Sequence, residues 1–324
     1  MTAYHTLSAA LAGTSEPMFG LQLTAWHGRW YATSVLDGGP AERAGIRNWD
    51  EILEIDGVSP ERSPILDYST DDAYLDDVHD PPVHPLLSTA IDSVRLRVRI
   101  TTDSVTDVTV AAMAYSAWEA TQASVDVIES DGIRIGYVHL WYMFLKDVSG
   151  WLADRFDREW STVDALVLDL RGRGGDGGLA PRIAELISGS SREQRFRGPV
   201  VALQDRQTRS AKEVLVELLR RQNLARVVGE PTAGAVVGSG SAALGNGMTL
   251  LMPAEINGPR YERLELHPQQ PDVAVAWGGP LSGLQDPILR AGLQEAGRMV
   301  RAQGRGVVLQ APLTHHSKIN ARSP

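Results

Sequence analysis

The chain has 324 residues and no cysteine. The absence of cysteine excludes disulfide bonds, a thiolate nucleophile and zinc sites that use thiolate ligands. It is typical of proteins from a reducing compartment. The first residues, MTAYHTLSAALAG, also lack the basic and apolar regions of a secretory signal. Together these two features predict a cytoplasmic protein.

Lysine is scarce as well. Only three of the 31 basic residues are lysines, namely Lys146, Lys212 and Lys318. Because arginine keeps its proton at neutral pH, the chain offers few amines that could act as a catalytic base.

The sequence also has no excess of positive charge and no long hydrophobic run. Its formal net charge is −9, the opposite of the basic charge by which proteins attract nucleic acids and anionic membranes. The longest stretch without a charged residue, 231–254, contains five glycines, whereas a membrane-spanning helix needs about 20 mostly apolar residues. We therefore expect no nucleic-acid partner and no membrane partner.

The pattern of apolar residues predicts two domains and two terminal segments. Residues 1–17 form a polar lead-in, and residues 18–112 contain alternating strand patterns that predict a small, mostly-β domain. Residues 113–310 alternate buried strand patterns with amphipathic helix patterns, which predicts an α/β core domain with right-handed crossovers. Residues 311–324 are predicted to be a disordered tail.

An acidic, proline-containing insertion covers residues 60–85 of the first domain. His79 and His84 lie within it at a spacing that a metal site could use. A solvated loop is the favoured interpretation, because proline-rich loops rarely hold ligands in a fixed geometry. We therefore predict no metal and no cofactor.

Ser210 is the first residue with a pattern typical of catalysis. It follows the buried strand pattern of residues 199–205 and opens an amphipathic helix that extends to Arg221. A serine at that position has a hydroxyl beside unpaired backbone N–H groups, so the N–H of Ala211 could stabilise an oxyanion. The alternative is an ordinary N-cap serine, which is the more common role of serine at a helix start.

A glycine-rich turn follows another buried strand pattern. The strand of residues 164–170 runs into RGRGGDGG, where Gly174 and Gly175 allow the backbone to approach a neighbour closely. The turn lacks the spacing of phosphate-binding loops. It therefore predicts either an oxyanion-hole N–H from Gly174 or Gly175, or a tight turn that only packs.

Six segments occur in the order typical of one known family. They are GYVHLWYMF, ALVLDLRGRGGDGG, PVVALQDRQTRSAKE, RVVGEPTAG, PDVAVAW and DPIL, and the segment GGPAERAGIRNWDEILEIDG precedes them. In this order they resemble the tail-specific (C-terminal processing) serine peptidases, and within them the tricorn-core and retinoid-binding-protein-like branch. The preceding segment resembles the PDZ domain that such proteins carry. The resemblance extends over residues 18–297.

The resemblance implies a ClpP/crotonase-like core of ββα units beside a PDZ-like domain. It implies that Ser210 is the nucleophile in the motif S-A-x-E, and that Ala211 with Gly174 or Gly175 forms the oxyanion hole. It also implies a peptide or peptide-like substrate, and it leaves a homo-oligomer open.

The sequence departs from the family at the catalytic base. Members with a Ser–Lys dyad have T-F-G-K-G after the serine, whereas this chain has Thr-Ala-Gly-Ala-Val at residues 232–236, so Ala235 takes the place of lysine. Lys212 lies two residues after Ser210 on the same helix and is expected to project away from it. The other two lysines lie in segments with no matching role.

Histidine is therefore the expected base, since its unperturbed pKa lies near neutrality. Many relatives have a D-x-H-T stretch before the PDZ domain, and His5 lies in Ala-Tyr-His-Thr at that position. His139, on a predicted long strand with Trp141 on the same face, is an alternative base, and both residues are expected to line the substrate groove. His267 is a weaker candidate that depends on an extended segment. Glu265 matches the supporting glutamate of the tricorn-core branch, which would orient the imidazole.

The predicted PDZ-like domain has its own candidate binding residues. In PDZ domains a glycine-containing loop receives the carboxylate at the end of a peptide, and the peptide adds a strand beside it. Phe19, Gly20 and Leu21 occupy this loop position, so the resemblance makes them substrate-binding residues. The acidic insertion falls where the helix of the groove is expected, so a structural or lid function for this domain stays open.

These observations predict a serine hydrolase that cleaves peptide or peptide-like amide or ester bonds through an acyl-enzyme. Two alternatives stay open. One is a non-catalytic protein that binds an apolar ligand or a peptide in a groove lined by the aromatic residues of 137–144. The other is a biosynthetic hydrolase or acyl transferase with a different substrate, since a fold and a triad do not fix the substrate.

Overall fold

The computed structural model describes residues 15–66, 83–85, 91–101, 103–143, 148–172, 174–189, 196–245, 248–254, 259–275 and 286–304. They form two compact units, and the chain passes from the first to the second between Ser124 and Val125. The predicted lead-in up to residue 14, most of the acidic insertion and the predicted tail lie outside the described residues. None of the described helices is both long and apolar enough to cross a membrane.

The first unit is built mainly from antiparallel strands. Six of them form one sheet in the order β5-β2-β3-β4-β6-β7, whereas β1 and β8 pair with each other. The elements are β1 (Glu16–Met18), β2 (Gln22–Trp26), β3 (Arg29–Thr33), α1 (Pro40–Arg43), β4 (Glu51–Ile55), β5 (Val83–Pro85), β6 (Ser93–Thr101), β7 (Ser104–Ala111), β8 (Met113–Tyr115) and α2 (Ala117–Ala123).

The sequence of this sheet explains its strands. In β6 the side chains of Val94, Leu96 and Val98 are buried in the core of the unit, while the arginines between them point to the opposite face. A hairpin turn lies at Asp56 and Gly57, with φ values of 51° and 83°. Positive φ at both positions is the geometry that a type I′ turn requires, and an Asp-Gly pair favours it.

The boundary between the units lies later in the chain than the predicted division at residues 112 and 113. The pairing of β1 with β8, in which Glu16 lies opposite Tyr115, holds β8 in the first unit. The hydroxyl of Tyr115 also donates to the carbonyl of Asp37 at 2.6 Å. Because both contacts stay within the first unit, β8 and α2 belong to it and not to the predicted core domain.

The second unit has a mixed α/β architecture. Its six-stranded sheet has the order β16-β13-β12-β11-β10-β9, in which only β9 is antiparallel to its neighbour, and β14 pairs with β15 in a separate hairpin. The elements are β9 (Asp126–Ser130), β10 (Ile133–His139), α3 (Val148–Asp157), β11 (Ala165–Asp169), α4 (Leu179–Ser188), β12 (Val200–Gln204), α5 (Ala211–Arg221), β13 (Arg226–Gly229), β14 (Gly238–Gly245), β15 (Met248–Ala254), α6 (Pro259–Glu262), β16 (Val273–Ala274) and α7 (Pro287–Ala302).

The central strands and the last helix agree with their sequence patterns. Every residue of β11 and β12 is buried, as expected for parallel strands covered on both faces. Helix α7 begins at Pro287 because Asp286 caps it, accepting hydrogen bonds from the backbone N–H groups of Ile288 and Leu289 at 3.0 Å.

The predicted long strand of residues 133–144 is shorter in the structure. Strand β10 ends at His139, because the N–H of Trp141 bonds to the carbonyl of His139 at 3.0 Å and turns the chain out of the strand. Trp141 therefore lies beyond the strand, although its ring still lies beside that of His139, with 4.0 Å between the ring centroids. Further along, Met143 forms an isolated parallel bridge with Gly175.

Candidate active site

Polar residues gather where the parallel strands of the second unit end. The carboxyl ends of β10, β11 and β12 lie at the same edge of the sheet, because these strands are parallel. His139 is the last residue of β10, and Asp169 is the last residue of β11. A short turn after β12 leads to Ser210 at the start of α5. This edge is where ligands bind in open α/β sheets.

Ser210 has an unusual backbone conformation. Its φ is 56° and its ψ is −124°, and its side chain makes no capping hydrogen bond with α5. Its backbone N–H donates to the carbonyl of Ala235 at 2.8 Å. The ordinary N-cap interpretation therefore does not describe this serine, since an N-cap hydroxyl accepts a hydrogen bond from the first turn. The Oγ atom makes no hydrogen bond with a described residue.

The glycine-rich turn approaches Ser210 closely. A Cβ atom on Gly174 would lie 2.6 Å from Ser210 Cβ and 2.7 Å from the carbonyl oxygen of Arg209, so only glycine fits there. Gly175 has a φ of 151°, and a Cβ on it would overlap the backbone of Met143. The carbonyl of Gly174 accepts the N–H of Met143 at 3.1 Å.

Two backbone donors beside Ser210 are unpaired within the described part of the chain. The N–H groups of Ala211 and Gly175 donate to no described acceptor. Ala211 is the first residue of α5, where the helix dipole adds partial positive charge. These donors have the chemistry needed to hold a developing negative charge.

A buried carboxylate fixes the segment that faces Ser210. Glu213 accepts hydrogen bonds from the hydroxyl of Thr232 at 2.5 Å and from the N–H groups of Gly234 and Ala235, both at 2.8 Å. Burial raises the pKa of Glu213, and these hydrogen bonds oppose the increase. The carbonyl of Ala235 is thereby held where it accepts the Ser210 N–H.

Glu265 binds the continuation of the same segment. Its Oε2 atom accepts the N–H groups of Val236 at 2.7 Å and Val237 at 2.9 Å. No described residue donates to its Oε1 atom. The segment is not extended as the candidacy of His267 required, because His267 bonds through Nδ1 to the backbone carbonyl of Glu265 at 2.7 Å and Leu266 has a φ of 59°.

His139 is buried and engaged. Its Nε2 atom lies 3.2 Å from the carbonyl oxygen of Arg171, and its ring centroid lies 4.0 Å from that of Trp141. Burial lowers the pKa of His139 to about 4, although the nearby Asp169 carboxylate opposes the shift. No hydrogen bond joins Ser210 to His139 or His267, the described histidines of this unit.

The remaining predicted residues divide into two groups. His5, Phe144 and His79 lie outside the described residues, as does the side chain of His84. Phe19 and Leu21 are described, and their side chains belong to the hydrophobic core of the first unit. Within the described part of the chain, no group of His, Asp and Glu side chains is arranged to hold a metal ion.

An ion pair lies at the ends of β10 and β11. The guanidinium of Arg171 donates from Nε to both carboxylate oxygens of Asp169, at 2.9 and 3.0 Å, and contacts Asp286 at the start of α7. The hydroxyl of Tyr137 also donates to Asp169 at 2.9 Å. Burial alone would raise the pKa of Asp169, but the Arg171 charge and these hydrogen bonds hold it well below its usual range.

Lys212 is fully buried beside this ion pair. Its Nζ atom donates to the backbone carbonyls of Arg171 at 2.7 Å and Trp141 at 3.4 Å. Burial lowers the pKa of the Lys212 amine to about 7, against the opposing charges of Asp169 and Asp205. The amine makes no hydrogen bond with Ser210, in agreement with the expectation that the two side chains diverge.

Part of the second unit is similar to a known protein family. Residues 181–275 match the family model described as peptidase family S41. A protein of Streptomyces coelicolor, described as a tricorn protease homologue, is 32% identical over 160 residues, which cover 44% of this chain and 13% of that protein. The chain carries a peptidase family S41 domain. It spans only a small part of the length of that curated relative.

Solved structures support the same fold for the S41 domain and the residues before it. The photosystem II D1 C-terminal processing protease matches with a TM-score of 0.50 and 19% identity, covering 94% of this chain and 81% of that chain. A protein of Bacteroides fragilis described as an S41 protease matches with a TM-score of 0.54 and 16% identity, covering 89% of this chain and 85% of that chain. The mixed α/β fold is therefore similar to that of S41 protease structures.

Part of this site was not predicted from the sequence. No role was expected for Lys212, and the ion pair of Asp169 and Arg171 was not foreseen. A signal for Lys212 was present, because a lone lysine precedes the apolar residues Val214 and Leu215 in a chain that otherwise uses arginine. No comparable signal marked Arg171, since an arginine after a strand is usually exposed.

We expect Lys212→Met to change how stability depends on pH. The pKa of the Lys212 amine is about 7 in the folded chain against an ordinary 10.5, so protonation favours the unfolded chain, and this penalty is relieved as the pH rises from 7 towards 10.5. The free energy of unfolding of the wild type minus that of Lys212→Met should increase over this window by up to about 1.4 kcal/mol per pH unit. Urea denaturation at several pH values measures it, and a difference that is constant with pH would contradict the expectation.

Proposed function

We propose that the protein is a serine hydrolase that cleaves peptide or peptide-like amide or ester bonds, with Ser210 as nucleophile. The observation that carries the proposal is the conformation of Ser210. Ser210 stands at a helix start with a φ of 56°, its hydroxyl caps nothing, and a glycine turn lies against its Cβ. Such a serine is suited to attack a substrate, because its hydroxyl is not committed to a structural hydrogen bond. The S41 domain that contains it supports a peptide as the substrate class.

The oxyanion hole of the proposed enzyme is made of backbone N–H groups. The carbonyl of Gly174 bonds to Met143, which lies beyond β10. Because the C=O and N–H of one trans peptide point in opposite directions, the N–H of Gly175 points to the side of β12, the strand that Ser210 follows. This orientation favours Gly175 over Gly174 as the partner of Ala211 in holding the oxyanion.

The catalytic base of the proposed enzyme is a histidine. Ala235 stands where the Ser–Lys branch has its lysine, and Lys212 bonds to two carbonyls away from Ser210. His139 is a poor base at neutral pH because it is buried and engaged with the Arg171 carbonyl. We therefore assign the role to His5, and we assign to Glu265, through its Oε1 atom, the orientation of the His5 imidazole.

The proposed reaction has two steps, acylation of Ser210 and hydrolysis of the acyl-enzyme. The histidine takes the proton of Ser210 Oγ as that oxygen attacks the scissile carbonyl carbon, and the N–H groups of Ala211 and Gly175 hold the oxyanion. The protonated histidine gives its proton to the leaving amine or alcohol, which leaves an acyl-enzyme at Ser210. Water, deprotonated by the same histidine, then releases the acid product and restores the serine.

We also propose finer assignments for the two units. The second unit, with its parallel strands, α4 and α5, suits a ClpP/crotonase-like core. The first unit suits a PDZ-like domain, since its short helix α1 and its strand β2 follow a glycine-containing loop at Phe19, Gly20 and Leu21. The backbone of that loop, and not its buried side chains, would contact a peptide.

Covalent labelling tests the nucleophile. A fluorophosphonate probe should label the wild-type chain at Ser210, because the probe reacts with serines activated by a base and an oxyanion hole. Peptide mapping by mass spectrometry locates the label. Ser210→Ala should abolish labelling, while Ser161→Ala, at an exposed serine of the same unit, should leave it unchanged. A folded wild-type protein that takes no label, but binds apolar ligands or peptides, would favour the non-catalytic alternative.

Two glycines of one turn test the oxyanion hole. Gly175→Ala should lower the labelling rate constant about 10²–10³-fold, because its Cβ would displace the backbone from Met143 and misdirect the N–H. Gly172→Ala is the matched control, since Gly172 also has a positive φ, 80°, but has open space around its Cβ position. Both variants are checked for folding by circular dichroism. Equal labelling rates for the two variants would remove Gly175 from the oxyanion hole.

The pH profile tests the base. With an accessible histidine as base, hydrolysis should fall on the acid side near pH 6–7, whereas burial sets the pKa of His139 at about 4. His5→Ala, and deletion of residues 1–8, should lower activity as much as Ser210→Ala, since members of one catalytic unit are not additive. His139→Ala should be milder and act mainly on KM. If His267→Ala removes the acid limb and His5→Ala keeps it, the role belongs to His267.

A further inference from the structure

One edge of the first unit's sheet is covered by the chain's own acidic insertion. Strand β5, at the end of that insertion, pairs with β2 and is the outermost strand of the sheet on that side. Without β5, the backbone N–H and C=O groups along one side of β2 would have no strand to pair with. An open sheet edge of this kind is where peptides are captured by strand addition.

The direction of β5 matches that of a captured peptide end. The pairing is antiparallel, with Val83 opposite Thr24, His84 opposite Leu23 and Pro85 opposite Gln22. The C-terminal end of β5 therefore lies nearest the loop that precedes β2. A peptide whose chain end is held by that loop would run along β2 in this direction.

The loop before β2 has two backbone N–H groups that could bind a carboxylate. Strand β5 is an internal segment, so its backbone has no carboxylate to offer them. The carbonyls of Phe19 and Gly20 accept the N–H groups of Ala41 at 3.0 Å and Leu36 at 2.9 Å. Their peptide N–H partners, on Gly20 and Leu21, point the opposite way and donate to no described acceptor. Gly20 has a φ of 72°, which allows successive N–H groups to converge on an anion.

From this geometry we propose that Val83–Pro85 is an internal ligand of the first unit, and that a peptide with a free C-terminal carboxylate competes for the same edge of β2. The internal segment supplies strand pairing, but at Pro85 its chain continues into Leu86 and offers an amide in place of a carboxylate. The proposal rests on the PDZ-like assignment of this unit.

The covalent link between β5 and the rest of the chain favours β5 over a free peptide. A segment joined to the same chain acts at an effective concentration on the order of mM. A free peptide must exceed this competition, although its carboxylate gains two charge-assisted hydrogen bonds that β5 lacks. The first unit is therefore expected to bind peptide ends weakly while β5 is in place and more tightly once it is removed.

The test disrupts the pairing of β5 with β2 by removing backbone N–H groups from β5. The double variant Val83→Pro, His84→Pro loses the N–H groups that a strand needs, in a segment that already contains prolines. The matched control, Val83→Ala, His84→Ala, changes the same side chains and keeps the N–H groups. Both are made in the full chain with Ser210→Ala, so that hydrolysis cannot consume the probe.

The probe is a fluorescein-labelled peptide of residues 79–85, HDPPVHP, with either a free carboxylate or a C-terminal amide. Fluorescence anisotropy should show the acid form binding the proline variant at least tenfold more tightly than the alanine control. The amide form should bind the proline variant at least tenfold more weakly than the acid form. Equal affinities of the two variants, or of the two peptide forms, would overturn the proposal.

A second measurement covers the case in which the proline variant does not fold. It follows amide hydrogen exchange in the Ser210→Ala chain with β5 unchanged. Millimolar acid-form peptide should increase exchange at the N–H groups of Val83 and His84 and leave that of β3 unchanged, and the amide form should not do so. No increase with the acid form would overturn the proposal. Such a result, with Ser210 still labelled by the fluorophosphonate in the wild type, would leave the proposed hydrolase intact.

Discussion

The hydrogen bond from the Ser210 N–H to the Ala235 carbonyl, 2.8 Å long, joins helix α5 to the segment that faces it. It matters because Ser210 has a φ of 56°, a conformation that costs an L-residue about 1–3 kcal/mol and persists only where the surroundings enforce it. Glu213, in the first turn of the same helix, binds the N–H groups of Gly234 and Ala235. The buried Glu213 carboxylate therefore fixes Ala235, whose carbonyl in turn holds the backbone of Ser210. Gly174 completes the arrangement by leaving space for the Ser210 side chain.

The same edge of the sheet concentrates charge in the interior. Asp169 is fully buried, and its desolvation is offset because Arg171 presents a planar guanidinium to both carboxylate oxygens. The pair also fixes the main chain, since the carbonyl of Arg171 accepts from Lys212 and lies within hydrogen-bond distance of His139. That carbonyl immediately precedes the glycine turn. The position of the turn against Ser210 therefore depends on charges that lie behind it.

The sequence predicted the elements whose signals are local. Helix α7 carries its own cap in Asp286, and β11 and β12 carry the continuous apolar runs of strands buried on both faces. The approach of the glycine turn to Ser210 was expected only from the family resemblance; in the structure both follow neighbouring parallel strands. Features that depend on distant contacts were not predictable. The end of β10 is set by a turn at His139, and the edge of β2 is covered by a segment whose composition indicated only a loop. The burial of Lys212 was not predictable either, because its amine bonds to the backbone carbonyls of Trp141 and Arg171, which are distant in the sequence.

In the proposed enzyme, the described residues supply the nucleophile and the oxyanion donors, but none of them is a base in hydrogen-bond contact with Ser210. This division has a physical reason. A base must gain and lose a proton near neutral pH, and burial at the strand ends prevents this for His139, because desolvation disfavours its charged form. A histidine brought to the site from elsewhere can keep contact with water. Glu265 is suited to receive it, since one carboxylate oxygen anchors the segment at Val236 and Val237 while the other remains for an imidazole. In the proposed enzyme, Ser210 and the backbone N–H groups beside it therefore position the attacking atom and the oxyanion, and Glu265 would orient the imidazole that carries the proton.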